Sequence, residues 1–404
     1  MNTRKLIIAF GDVHFKEEAE FLKYQLDEVF IKYILENKDD IFLIECTGDY
    51  FDKRLKSDSS GYILALQFFY ELYQICMENK IYFRMIKGTQ NHCNFQQNVF
   101  KMFENKYFKQ FNSVTEEELE GLKILHCPEE YMSDFKGYYK NEIFDKEDRY
   151  YDLIFLHGLV KFQSFTNSIL ESEKPYKFQP VWEEKYLTRI CKGPILTGHI
   201  HIQCNYKEKI YYTSSFTRHG FGEEGDKGFI SCIYQPDIYE PPKNVEYIKE
   251  DNLKQEAYYK VTYINNYLAP RYISIDIEKE SVNINNVENF ILTLEENIKS
   301  LTTDEKIRIL AHIDYIKDNF DCVNIITNYI KKYPNVVEFK RVFKKNYQVK
   351  KDNNEVVEEE NILEEKDKFY DRKYEPMKII TDYINNKNNV NYTTEELEEV
   401  LNEK

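Results

Sequence analysis

Five short apolar runs in this 404-residue chain stop in the same way, at a glycine beside side chains that carry oxygen or nitrogen donors. KLIIAF leads into Gly11-Asp12-Val13-His14, DIFLIECT into Gly48-Asp49-Tyr50-Phe51-Asp52, and IYFRMIK into Gly88-Thr89-Gln90-Asn91-His92. YDLIFL leads into His157-Gly158, and the run from Gly193 ends in Gly198-His199-Ile200-His201. Runs this short and this rich in Ile, Leu and Phe predict strands buried on both faces. Between the first two, Phe21, Leu22, Leu26, Val29, Phe30 and Tyr33 recur at helical spacing over Lys16 to Asn37, and Gly61 to Asn79 also reads as an apolar-faced helix. Strand, helix, strand, helix, strand predicts a largely parallel layer with helical crossovers, an α/β fold. In such layers ligands gather beyond the carboxyl ends of the strands, where all five donor sets fall.

The donors are Asp12, His14, Asp49, Asn91, His157, His199 and His201, a mixed set of carboxylate, amide and imidazole that suits Mn, Fe or Zn better than calcium or a thiolate-seeking metal. Seven donors exceed the needs of one ion, and two ions about 3.5–4 Å apart share a bridging ligand, for which the two oxygens of Asp49 are suited. His201 then joins Asp12 and His14 on one ion, and His199 joins Asn91 and His157 on the other. The eight cysteines contain no CxxC pair, so neither a zinc knuckle nor a disulfide framework is indicated. The first apolar run is far short of the roughly 20 residues of a membrane span, and we expect a cytoplasmic, non-membrane protein. A formal net charge of -15 argues against loose binding of nucleic acid over the whole surface and leaves a local metal-lined cleft open. The length suggests two or three domains.

GDVH, GDYFD, an Asn-His, a lone His-Gly and GHIH, in that order, resemble the five motifs of calcineurin-like metallophosphoesterases. The resemblance implies a β-sandwich flanked by helices, two divalent cations and hydrolysis of a phosphate ester. It also implies that His92 assists the leaving group. The family usually follows that histidine with an orienting aspartate, whereas this chain has Cys93, and two residues separate Gly88 from Asn91 where the family has none. Asp52 is read as bracing its loop, and His126, His219 and His312 are given ordinary structural roles.

Ser214, Ser215, Arg218, Phe221, Glu223, Lys227 and Gly228 match the segment that follows the last motif in SbcD-type DNA repair exonucleases. A turn of solvated charges is the plainer reading of that segment. Strands over Tyr272 to Ile277, Lys306 to Ile313 and Val336 to Phe343, with helices over Val287 to Lys299 and Cys322 to Lys332, predict a small second α/β domain in the place of that family's DNA-contacting capping domain. The expected organisation is a nuclease domain at 1–240, a capping domain at 265–349, an acidic linker at 350–368, and a C-terminal helix-loop-helix at 369–404. A capping box of Thr393 with Glu396 supports the last helix. The resemblance implies a nuclease acting on DNA ends in double-strand-break repair, a homodimer, and a coiled-coil SbcC-like ATPase gripped by residues 369–404. Alternatives are a phosphatase or small-molecule phosphodiesterase on the same fold, or a noncatalytic subunit that binds DNA and the ATPase.

Overall fold

The structure, a computed structural model, describes residues 4–93, 96–130, 143, 150–161, 180–223, 225–240, 256–302 and 305–342. It divides into compact units Met1–Lys344 and Lys345–Lys404; the linker and helix-loop-helix expected at 350–404 lie outside the described residues.

The apolar runs are strands: β1 (Lys5–Phe10), β2 (Ile41–Cys46) and β3 (Tyr82–Ile86) lie side by side in parallel. β4 (Phe108–Phe111) extends this parallel order beyond β3, while β13 (Gly228–Glu240) and β14 (Glu256–Asn265) add antiparallel strands beyond β1. The resulting order is β14-β13-β1-β2-β3-β4. A second six-stranded sheet has β6 (Leu122–Cys127), β7 (Leu153–His157), β10 (Ile195–Gly198) and β12 (Ile210–Tyr212) parallel at its centre. Antiparallel β5 (Thr115–Leu119) and β11 (Cys204–Tyr206) close its edges. A separate pair, β8 (Leu159–Lys161) with β9 (Val181–Glu183), leaves β7 just past the site.

Both sheets bury two faces, which explains why their central strands read as unbroken apolar runs. Ile7, Ala9, Leu43 and Ile230 of the first sheet pack against Ile124, Phe155, Leu196 and Tyr211 of the second, forming the inner core. On the outer face of the first sheet, Phe10 and Phe83 pack with Phe30, Phe68 and Phe69 of the crossover helices. The first crossover runs Glu20–Gln25, Leu26–Ile31 and Lys32–Asn37, its middle third π-helical. The second, Ser60–Asn79, starts where the Ser59 side chain accepts from Tyr62 N–H (3.4 Å) and stops at Lys80, whose φ is 59°. The outer core of the second sheet contains Trp182, Leu187 and Ile190.

β15 (Tyr272–Asp276), β16 (Lys306–His312) and β17 (Val337–Val342) form a parallel three-stranded layer within the first unit. Helices Val287–Lys299 and Phe320–Ile330 cover it around Leu294, Ile307, Ile309 and Ile326. Among the described residues, no helix is long and apolar enough to cross a membrane.

Candidate metal centre

The carboxyl ends of β1, β2 and β3 meet those of β7 and β10 at one end of the sandwich, and backbone bonds knit the loops together. Asp12 N–H donates to Gly48 O and His14 N–H to Asp49 O, each at 3.0 Å. Across the sheets, the Asp12 carboxylate accepts from His199 N–H at 3.0 and 2.9 Å, and His157 Nδ1–H donates to Thr47 O at 2.6 Å. Asp12, His14, Asp49 and His199 all have positive φ, at 49°, 52°, 48° and 90°. Non-glycine residues in that region cost about 1–3 kcal/mol each, and such strain gathers where side chains are aimed for function. Glycine is required at two neighbouring points: a Cβ on Gly48 would lie 2.4 Å from His157 Nδ1, and one on Gly88 2.1 Å from Asp49 Oδ1.

The donor atoms converge on two points joined by Asp49. At the first, His14 Nε2 and His201 Nε2 are 3.1 Å apart, with Asp12 Oδ1 at 3.9 and 3.7 Å and Asp49 Oδ2 4.0 Å from His14. His201 Nδ1 faces Glu223 Oε1 at 2.8 Å; a carboxylate accepts, so the proton sits on Nδ1 and Nε2 is the atom turned to the site. At the second point, His157 Nε2 is 3.2 Å from Asp49 Oδ2. Asp49, His157 and His199 form one potential metal-holding group, His14, Asp49 and His92 a second, and His14, His201 and His219 a third.

The electrostatics are compatible with a bound cation. Burial depresses the His157 imidazolium, yet the carboxylates of Asp49, Asp12 and Glu129 overcome it and push the pKa up to about 10. Burial raises the carboxyl of Asp12. It opposes ionisation of Asp49 as well, but His157, His14 and His92 hold that group well below the carboxylate range. His14, among other imidazoles, is lowered well below its ordinary value, chiefly by burial. Buried carboxylates facing basic ring nitrogens at 3–4 Å fit a divalent cation, which supplies the charge a proton on His157 otherwise provides.

Six of the seven sequence-predicted ligands, Asp12, His14, Asp49, His157, His199 and His201, lie in this cluster. Asn91 is exposed, in the short helix Gln90–Cys93. The polar group that the β3 loop brings to the second point is Thr89, which directly follows Gly88. Its N–H donates to Asp49 Oδ1 (2.6 Å), and its Oγ1 lies 3.3 Å from His157 Nε2 and 3.4 Å from His199 Nδ1. His92 Nδ1–H donates to the backbone carbonyl of Asp52 at 2.5 Å, and its ring packs edge-on to His14 at 4.7 Å between centroids.

Three further residues stand at the cluster. Glu129, just past β6, is fully buried beside His157 and His199. His219, given a structural role above, lies 4.8 Å from His14 and 5.4 Å from His201 between ring centroids, and burial with the His201 charge pushes its pKa down to about 3. Thr89 was quoted only as part of an interrupted motif. The strand-end rule that picked out the other clustered residues applies equally to β6, whose apolar run LKILHC ends in Pro128-Glu129.

The segment after β12 is a built part of the site rather than a turn of solvated charges. Glu223 accepts from His219 N–H (3.0 Å) as well as from His201, while Lys227, almost fully buried, lies 3.2 Å from Glu223 and donates to the His201 carbonyl. Ser214 Oγ also donates to that carbonyl at 3.3 Å. No protein-family model matches the chain, and no curated protein matches it.

Proposed function

We propose that this chain is a two-metal-dependent DNA nuclease subunit of the calcineurin-like metallophosphoesterase kind, cleaving phosphodiester bonds at DNA ends. The observation that carries the reading is the pair of buried donor groups sharing Asp49, with His14 Nε2 and His201 Nε2 3.1 Å apart on one side and His157 Nε2 3.2 Å from Asp49 on the other. A pair of divalent cations, manganese being the expected metal, supplies Lewis acidity and a nucleophilic water near neutral pH when bound. The chain's residues do the rest. Asp12, His14 and His201 surround the first point, His157 and His199 the second, and Asp49 faces both. Glu223 keeps the His201 proton on Nδ1. His92, whose Nδ1–H donates to Asp52 O, is the residue proposed to assist a departing alkoxide, a role that needs a second proton, on Nε2.

Modest support for a polyanionic substrate comes from the loop immediately after Asp52, where exposed Arg54 and Lys56 line a cleft with Asp58, Tyr62 and Gln96, two cations against one carboxylate. A local basic patch of this kind is compatible with the chain's overall negative charge. The small parallel layer is proposed to hold duplex DNA, and residues 369–404 to hold an SbcC-like ATPase, with a homodimer as the working assembly.

Purified protein is incubated with end-labelled linear duplex in manganese, magnesium or chelator, beside a generic phosphomonoester. Manganese-dependent shortening of the duplex with little phosphomonoester turnover is expected. Preferential phosphomonoester hydrolysis would favour a phosphatase, and metal-bound protein inert on both substrates would favour a noncatalytic subunit. Deleting residues 369–404 is expected to preserve cleavage of short duplexes while abolishing co-purification with the ATPase.

A further inference from the structure

We propose that Glu129 is the second acidic ligand of the cation held on the His157–His199 side, in the place that the motif pattern assigns to Asn91. The inference rests on the metal-centre reading above and concerns only which side chain completes one of its two points.

Glu129 is fully buried, and Oε1 has no hydrogen-bond partner among the described residues. A buried, half-satisfied carboxylate is costly, so it calls for a counter-charge. Its other oxygen, Oε2, is 3.8 Å from His157 Nε2 and 4.0 Å from His199 Nδ1. Those nitrogens also lie near Asp49, so the ends of four strands, β2, β6, β7 and β10, bring carboxylate and imidazole to one place. Thr89 Oγ1–H donates to Glu129 Oε2 at 2.8 Å, and Glu129 N–H donates to Lys87 O at 3.2 Å. Side chain and backbone are thus both tied to the β3 loop, which fixes the direction in which the carboxylate approaches.

The β3 loop explains the exchange. The two residues inserted between Gly88 and Asn91 leave Thr89 at the position next to Asp49, and they carry Asn91 into the short helix Gln90–Cys93, where it is exposed. Thr89 brings a hydroxyl of poor metal affinity, and Glu129, arriving from β6, restores a strong oxygen donor. The exchange also changes the charge at this point. Asp49 is shared with the first point, so an asparagine would leave the second divalent ion facing half of one carboxylate and two neutral imidazoles, whereas Glu129 adds a full negative charge. A more anionic point favours manganese or iron over zinc compared with one completed by the neutral oxygen of an asparagine.

Metal binding is measured on the full chain by titrating manganese into chelator-treated wild type, Glu129→Gln and Asn91→Ala, following free manganese by its electron paramagnetic resonance signal. Wild type is expected to bind two ions and Asn91→Ala two with affinity within about threefold. Glu129→Gln should keep one ion and bind the second about 100-fold or more weakly, since even outer-shell partners of a metal site are worth 10–100-fold. Two ions bound to Glu129→Gln at wild-type affinity, or loss of the second ion from Asn91→Ala, overturns the assignment while leaving the metal centre standing. Wild type that binds no manganese overturns the metal centre itself. Because a buried substitution can unfold the chain, wild-type crystals grown with manganese give the same decision without a variant. An anomalous peak bonded to Glu129 supports the proposal, and one bonded to Asn91 with Glu129 beyond reach overturns it.

Discussion

His92 carries its proton on Nδ1 because the atom facing that nitrogen, the backbone carbonyl of Asp52, can only accept. The sequence comparison placed Cys93 where an orienting aspartate is usual and so left the ring without a partner; the partner comes instead from forty residues earlier, through the main chain. Main-chain partners have no side-chain signature, so this one could not be read in advance. The clustering of Asp12, His14, Asp49, His157, His199 and His201 could, since an Asp or His just past a buried strand and a glycine stands out against apolar neighbours. Thr89 and Glu129 are not legible from an Asn-His pair, since Thr89 is a lone hydroxyl two residues before it and Glu129 follows a different strand. His92→Asn is expected to retain both ions, as measured by metal content, while the cleavage rate falls about 10²–10⁴-fold, the usual worth of a positioned general acid. Asp49→Asn, which touches both points, is expected to lose metal as well as activity. If Asp49→Asn retains two ions and wild-type turnover, Asp49 does not bridge.

At the scale of elements, the two sheets are pinned by a buried ionic network between them. Arg84 of β3 donates to Glu117 of β5 at 2.7 and 3.0 Å and to Tyr107 O at 2.7 Å, while His126 of β6 lies 3.4 Å from Glu117 and 3.2 Å from Glu45 of β2. The same network hid part of the fold. TEEEL reads as a polar segment, yet it is a strand because Glu117 turns inward to Arg84. β14 is harder to read from sequence, since EAYYKVTYIN mixes Tyr, Lys and Thr without a continuous apolar run. The central strands and the Val287–Lys299 helix were legible because burial on two faces, or on one helical stripe, writes itself directly into residue spacing. Arg84→Met strands Glu117 without its strongest partner and is expected to cost about 3–5 kcal/mol in urea unfolding. Combining it with Glu117→Leu should recover much of that loss, and failure of the double variant to recover any would place the role of Arg84 elsewhere. In the small layer, burial opposes ionisation of Glu305, but hydrogen bonds from the Arg271 guanidinium and from the N–H groups of Thr302 and Arg271 bring its pKa from 4.5 down to about 2. A depressed carboxyl stabilises the fold above its unfolded pKa, and that contribution fades as pH falls through 4.5 toward 2. Glu305→Gln should therefore lower the urea midpoint at pH 6 and leave it closer to wild type at pH 2.5; an equal loss at both pH values would exclude an ionic contribution.

For the whole first unit, the segment after β12 couples the small layer to the metal centre. Arg218 Nη1–H donates to Ala269 O at 2.9 Å at the approach to β15. Phe221 packs edge-on to Tyr272 at 5.3 Å, and the Arg308 guanidinium of β16 sits 4.0 Å over the Phe221 ring. Two residues on, Glu223 holds His201 and His219. One short segment therefore contacts His201 with one residue and the neighbouring layer with another. If the layer positions duplex DNA, Phe221→Ala should loosen it by the worth of a cation–π contact, about 0.5–2 kcal/mol, which corresponds to roughly 2- to 30-fold. The loss is expected in kcat/KM for a duplex end, with kcat for a minimal diester such as bis(p-nitrophenyl) phosphate changed less than about twofold, because the small substrate needs only the metal centre. Manganese content should stay at the wild-type value, since Glu223 keeps its bond to His201. Equal losses on both substrates would mean that Phe221 supports the metal centre itself, and no loss on either would mean that the layer is seated by Arg218 and its backbone bonds alone.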